Sequence, residues 1–190
     1  MKNSVGALRR TTYSSGLEVV EAWDYFPTKE DFRFMGKAIA QAKKAIRQRN
    51  VGVGAVLVAP NGKSWGAHST ELSEEDPYAH AEHNVTRAAR EDGESLARML
   101  PHSRLYLTME PCIGDAHFLT QGGIGTILAA ASYEDVPKFV SQRSIHGSDI
   151  IRNSGRSLTV IHGLLAEGAK DLMVADHKFH QSNPQNLLES

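Results

Sequence analysis

A short stretch of this chain carries the residue types that metal-assisted hydrolysis needs. His80-Ala81-Glu82 is followed about thirty residues later by Pro111-Cys112-Ile113-Gly114-Asp115. A catalytic zinc takes three protein ligands, commonly imidazole and thiolate, and keeps one position for water, whose pKa falls to about 7. His80 and Cys112 supply two such ligands. Glu82, two residues past His80, can stand beside that water without ligating the metal, taking its proton and handing it to a leaving group. Proline is favoured in the first helical turn, so Cys112 after Pro111 is expected near a helix N-terminus, where the dipole and free amides stabilise thiolate. Asp115 falls one turn later on the same face. Carboxylate oxygen binds zinc at about 2.0–2.2 Å, against about 2.3 Å for sulfur, which makes His80, Cys112 and Asp115 a coherent mixed donor set. The competing third ligands are His83, at i+3 from His80, and His117, just past Asp115. For each of these the ordinary reading is a surface or hydrogen-bonded histidine, among nine in the chain.

Those ligands need helices that begin where they sit. Residues 79–91 read as a helix ending near Gly93, which puts His80 and Glu82 at its start. Residues 104–108 form a short strand that delivers Pro111 and Cys112, and Gly122-Gly123 closes the next helix before a strand over 126–131. Upstream, Thr28 with Asp31 resembles a capping box, and Phe32, Met35, Ile39, Ala42 and Ile46 then recur at helical spacing. The other face of that helix carries Arg33, Lys37, Lys43, Lys44 and Arg47, a pattern that is more often solvated than bound to nucleic acid. An apolar strand over 51–59, the turn Pro60-Asn61-Gly62 and a returning strand over 63–69 make a hairpin. A fifth strand over 157–162 and a closing helix over 164–179 complete the pattern.

This alternation predicts a three-layer α/β/α sandwich with a five-stranded mixed sheet, its first hairpin antiparallel and its later strands parallel. The domain is expected over 26–182, with an N-terminal extension over 1–25 and a tail over 183–190. Both halves of the metal pattern then lie at helix starts, where open α/β folds build sites.

Composition agrees with one domain: 190 residues, of which 41% are hydrophobic, suffice for a full core. A single cysteine excludes an intrachain disulfide and suits a reducing cytoplasm. No stretch has the apolar length of a signal peptide or membrane span, so a soluble intracellular protein is expected. A net charge of -1 argues against a partner bound mainly through phosphates.

The two half-motifs match most of the H-x-E … P-C-x-x-C signature of zinc deaminases, with Asp115 where the final cysteine would stand. The segment over 34–179 resembles the cytidine deaminase-like superfamily, in the branch of tRNA adenosine deaminase, guanine deaminase and fungal cytosine deaminase. The matching stretches are Phe34-Met35, the run over 53–58, the run from Asp76 to Glu82, and the run from Leu105 to Cys112. The resemblance implies that His80 and Cys112 bind zinc, that Glu82 shuttles protons, and that the protein is a homodimer. It further implies that the hairpin around Val51 to Ala55 and the helix starts at Ala81 and at Pro111-Cys112 wall a substrate pocket. An asparagine that reads the substrate ring in this branch is matched here by Ser69, which can donate and accept but reaches less far. Phe179 lies where family C-terminal helices cover the pocket, and its competing reading is packing.

Three readings follow from the sequence. The first is a zinc-dependent aminohydrolase releasing ammonia from a small amino-substituted heterocycle, favoured by retention of Glu82. The second is a tRNA adenosine deaminase, weighed down by the near-neutral charge and a tail without Lys or Arg. The third is a degenerate deaminase scaffold acting as a partner subunit, for which the missing cysteine and asparagine speak. A Cys112 nucleophile, the fragment Gly52-x-Gly54 and the sequon at Asn84 explain less of the pattern.

Overall fold

Successive residues of a strand face opposite sides of a sheet, and strands covered on both faces read as continuous apolar runs. The computed structural model describes residues 8–13, 19–133 and 146–181, with side chains over 25–133 and 146–175. In it every residue of the strand Gly54–Val58 is buried, as is nearly all of Arg104–Met109 and Thr126–Ala131. In chain order the elements are β1 (Leu8–Tyr13), β2 (Val19–Tyr25), α1 (Lys29–Arg47), β3 (Gly54–Val58), β4 (Ser64–His68), α2 (Ala81–Glu91) and α3 (Leu96–Met99). After these come β5 (Arg104–Met109), α4 (Ile113–Gly122), β6 (Thr126–Ala131), α5 (Gly147–Asn153), β7 (Leu158–His162) and α6 (Ala166–Gln181).

The five strands expected from sequence form the mixed sheet β4-β3-β5-β6-β7, antiparallel through β3 and parallel from β5 to β7. Ala55, Leu57, Leu105 and Ile127 point to the face covered by α2, α4 and α5. Val56, Tyr106 and Leu128 point to the face covered by α1 and α6. These two cores make the three-layer sandwich. Close approach fixes α1 against β3: a Cβ on Gly54 would lie 2.1 Å from the Ala38 carbonyl oxygen, so the position accepts glycine alone.

Two features depart from the expected order. The segment read as an N-terminal extension contains a hairpin whose strand β1 pairs antiparallel with β7, extending the sheet to seven strands. A short helix, α5, interrupts the connection from β6 to β7 and brings His146 toward the ends of the parallel strands. Among the described residues no helix is long and apolar enough to cross a membrane.

Candidate metal centre and active-site cavity

Helices α2 and α4 both begin beside the carboxyl end of β5. His80 is the N-cap of α2 and Cys112 the N-cap of α4, both with extended backbone. Cys112 uses its sulfur as a cap: the Asp115 N–H donates to Sγ at 3.5 Å. Asp115, the third residue of that first turn, is 3% exposed and lies 2.8 Å by Oδ2 from His80 Nδ1. The Cys112 sulfur is 4.0 Å from the same nitrogen.

The three donor atoms lie within 4.8 Å of one another. Tetrahedral zinc holds such donors about 3.5 Å apart, so the set fits the ion after small side-chain adjustments. His83 stands one shell out, 3.5 Å by Nε2 from Asp115 Oδ1 and stacked on Phe118 with ring centroids 4.0 Å apart. His117 is exposed and lies outside the donor group.

The charges around this group are tightly linked. Hydrogen bonds to Asp115, Cys112 and Glu71 raise His80 far above the ordinary imidazole value, favouring the imidazolium form. Ligation through Nδ1 therefore displaces a proton. Burial opposes ionisation of Asp115, but the bonds it shares with His80 and Cys112 outweigh that and hold it below the usual carboxylate range. Glu82 is in the opposite situation. It is 3% exposed, and burial, with the Asp115 charge nearby, pushes its carboxyl well above the ordinary value.

A cavity of 240 Å³ opens over these residues. Ser69, His80, Ala81, Glu82, Cys112 and Asp115 line it, joining six of the residues singled out from sequence. Ala55 belongs instead to the core cluster beneath α2 and does not line the cavity. Pro111 is buried behind the lining, its carbonyl oxygen pressed against the start of α5, where a Cβ on Gly147 would lie 2.2 Å away. The Phe179 side chain lies outside the described residues, and among the described residues of α6 Met173 reaches the cavity.

Sequence reasoning missed two acids. Glu71, in the turn after β4, places Oε1 2.9 Å from His80 Nε2 and accepts the Ser69 hydroxyl on Oε2 at 2.5 Å. Burial works against its ionisation, yet the His80 and Ser69 bonds hold its carboxyl below the ordinary value. Glu110, adjoining Pro111, is paired at 3.2 Å with Nδ1 of His146. Val51, Val53, Met109 and Tyr133 supply the apolar walls. No lysine or arginine is among the described lining residues. The position of Glu71 directly after Ser69-Thr70 was the available signal, obscured by the acidic run through Glu74 and Glu75.

Residues 28–131 match the cytidine and deoxycytidylate deaminase zinc-binding region. The tRNA(Ile)-lysidine synthase of Thermus thermophilus is 34% identical over 122 residues, which cover 64% of this chain and 22% of that protein. The chain thus spans about a fifth of the length of that relative. The tRNA-specific adenosine deaminase of Buchnera aphidicola is 33% identical over 111 residues, covering 58% of this chain and 67% of the relative. Among solved structures, a guanine deaminase from Nitrosomonas europaea superposes with a TM-score of 0.64 at 17% identity, covering 77% of this chain and 84% of that one. A structure from work on tRNA:A34 deaminases superposes with a TM-score of 0.61 at 24% identity, covering 74% and 98%. These last two likenesses show the fold.

Proposed function

Because the chain belongs to the zinc-binding cytidine and deoxycytidylate deaminase family, we propose that it is a zinc-dependent hydrolytic deaminase of a small amino-substituted heterocycle. The position of Glu82 carries this reading: a buried carboxyl on the cavity wall, in the first turn of the helix that presents His80. His80, Cys112 and Asp115 would hold the zinc. When bound, the ion supplies Lewis acidity that brings the pKa of water to about 7.

The proton traffic falls to Glu82. In the reaction water adds its oxygen to the ring carbon that bears the amine, the carbon–nitrogen bond breaks, and ammonia departs. Glu82 takes a proton from the water and returns it to the leaving nitrogen, so the carboxylate ends as it began. A carboxyl whose pKa is raised is suited to hold that proton between the two transfers. Val51, Val53 and Met109 give the ring apolar walls, and the cavity volume falls below the ~300–1,000 Å³ of drug-sized ligand sites, favouring one small heterocycle.

The test is an ammonia-release screen of zinc-loaded protein over aminopurines, aminopyrimidines and aminotriazines. Release from one class supports the proposal. About one zinc per chain with no release from any of them overturns it, and a chain that takes up no zinc points to a degenerate scaffold.

A tRNA adenosine deaminase is the second reading, favoured by the similarity to the Buchnera aphidicola enzyme. The near-neutral charge does not exclude it, because Arg33, Lys37, Lys43, Lys44 and Arg47 all lie on exposed positions of α1. Inosine formation in an anticodon stem-loop would establish it. We further infer a homodimer, supported by Tyr78 and Ile113, which are 74% and 38% exposed at the entries to α2 and α4, where a second copy would cover them. Light scattering reports that state directly. A cytoplasmic location suits a protein whose single thiol is assigned to a metal.

A further inference from the structure

Ser69 is short, buried and already committed: its hydroxyl donates to Glu71 rather than into the cavity. The group presented to a ligand at this wall is therefore the Glu71 carboxylate. Each of its oxygens accepts one bond from the protein, Oε1 from His80 Nε2 at 2.9 Å and Oε2 from Ser69 at 2.5 Å. A carboxylate offers about four lone-pair positions, so each oxygen keeps one acceptor direction. The Glu71 side chain is 21% exposed and lines the cavity, which gives those directions somewhere to go. Its two anchors also fix its rotamer, so little entropy is lost when a ligand pairs with it.

We propose that Glu71 determines specificity, selecting a heterocycle whose edge presents two adjacent N–H donors, as in a cyclic amidine or guanidine. The assignment rests on the deaminase reading and deepens it. An edge with a bare ring nitrogen would set a lone pair against a carboxylate oxygen, a repulsion that water cannot relieve in a partly closed cavity. Anionic rings are disfavoured at this wall for the same reason, because the His80 and Ser69 bonds hold Glu71 ionised and no lysine or arginine is among the described lining residues.

The test uses zinc-loaded full-length protein carrying Glu82→Gln to block turnover, with guanine and adenine as calorimetric probes. Guanine offers N1–H beside its exocyclic amine; adenine offers its amine beside a bare ring nitrogen. Tighter binding of guanine is expected. Adding Glu71→Gln should weaken guanine at least about tenfold, adenine less than about threefold, with zinc still near one per chain. Ser69→Ala, which frees one carboxylate oxygen without removing it, should shift guanine in the same direction by a smaller factor. Equal weakening of both purines overturns the Glu71 assignment and leaves the deaminase reading standing. Loss of zinc in the Glu71→Gln protein also overturns it, reducing Glu71 to a residue that positions His80. Zinc-loaded protein that binds neither purine overturns the Glu71 assignment, while the deaminase reading stands or falls by the ammonia-release screen.

Discussion

Asp31 and Asp115 occupy the same place in two helices and do opposite things. Each is the third residue of a first turn, each is buried, and each donates its backbone N–H to the side chain of its own N-cap, Thr28 in α1 and Cys112 in α4. Both carboxyls are held below the ordinary value, because hydrogen bonds overcome the cost of burial. Their other partners differ. Asp31 accepts from the hydroxyls of Tyr25 and Tyr106 at 2.8 Å and 2.7 Å and pairs with Arg104 at 3.0 Å. Those donors keep their protons at any physiological pH. Asp115 faces the imidazoles of His80 and His83 and the Cys112 sulfur, donor types that zinc takes, and a cavity lies beside them. A capped acid among permanent donors locks its helix to its neighbours, whereas one among imidazoles and a sulfur belongs to a group that could hold a metal ion.

The strongest challenge to this contrast comes through Glu82, the buried acid that has no such set of donors holding it ionised. Glu82→Gln should lower ammonia release by about 10²–10⁴-fold, with zinc unchanged by elemental mass spectrometry. Zinc loss in that variant would remove Glu82 from proton transfer. Next, Asp115→Ala should lose most of its zinc while unfolding in urea near the midpoint of zinc-stripped wild type. Full zinc there would move the third ligand to His83.

Asp31→Ala should do the reverse: a loss of about 3–5 kcal/mol in urea denaturation, as for a broken buried pair, with zinc per folded chain unchanged. An Asp31→Ala protein that folds normally but is short of zinc would collapse the distinction. Thr28→Ala removes a cap alone and should cost about 1 kcal/mol in the same assay, whereas Cys112→Ala, the equivalent change in α4, should register in zinc content.

The two acids also predict different pH signatures. The stability due to Asp31, whose folded pKa is depressed, is complete above the ordinary carboxylate value of about 4 and is lost as pH falls through the lower folded value. Zinc affinity should weaken much earlier. His80 has a raised pKa and must shed a proton to ligate, so each displaced proton costs about tenfold in affinity per pH unit on acidification between about pH 8 and about pH 6. A competitive chelator titration across that interval measures the slope, and a flat profile would remove His80 from the ligand set.

The parts of the site legible in the sequence are those that local spacing sets. His80 and Glu82 share one helical turn, as do Cys112 and Asp115, and the apolar strands between them are continuous because both faces are covered. Glu71 was not legible, since its contact with His80 depends on how the turn after β4 folds back over nine residues. Ala55 was misplaced for a related reason: in a strand buried on both faces, alternation does not tell which end reaches the cavity. The hairpin β1–β2 was hidden by its polar residues, Arg9, Arg10, Thr11 and Thr12 among them, which read as an extension until a sheet edge is available to pair with them. Helix α5 is only seven residues long and carries too little periodicity to stand out.

That hairpin has a consequence for the order of assembly. Arg9 pairs with His162 and Tyr13 with Leu158, contacts between residues about 150 apart in the chain. During synthesis the strands from β3 to β6, with α1, α2 and α4, can all find partners before β7 emerges. Strand β1 can pair with β2 at once, but its other edge must wait for β7, leaving the donors and acceptors of that edge to water or to a neighbouring chain in the interval. The hairpin β1–β2 is thus made before the rest of the sheet yet docks on it late, and slow translation through the stretch before β7 would lengthen the period in which its free edge is open to mispairing.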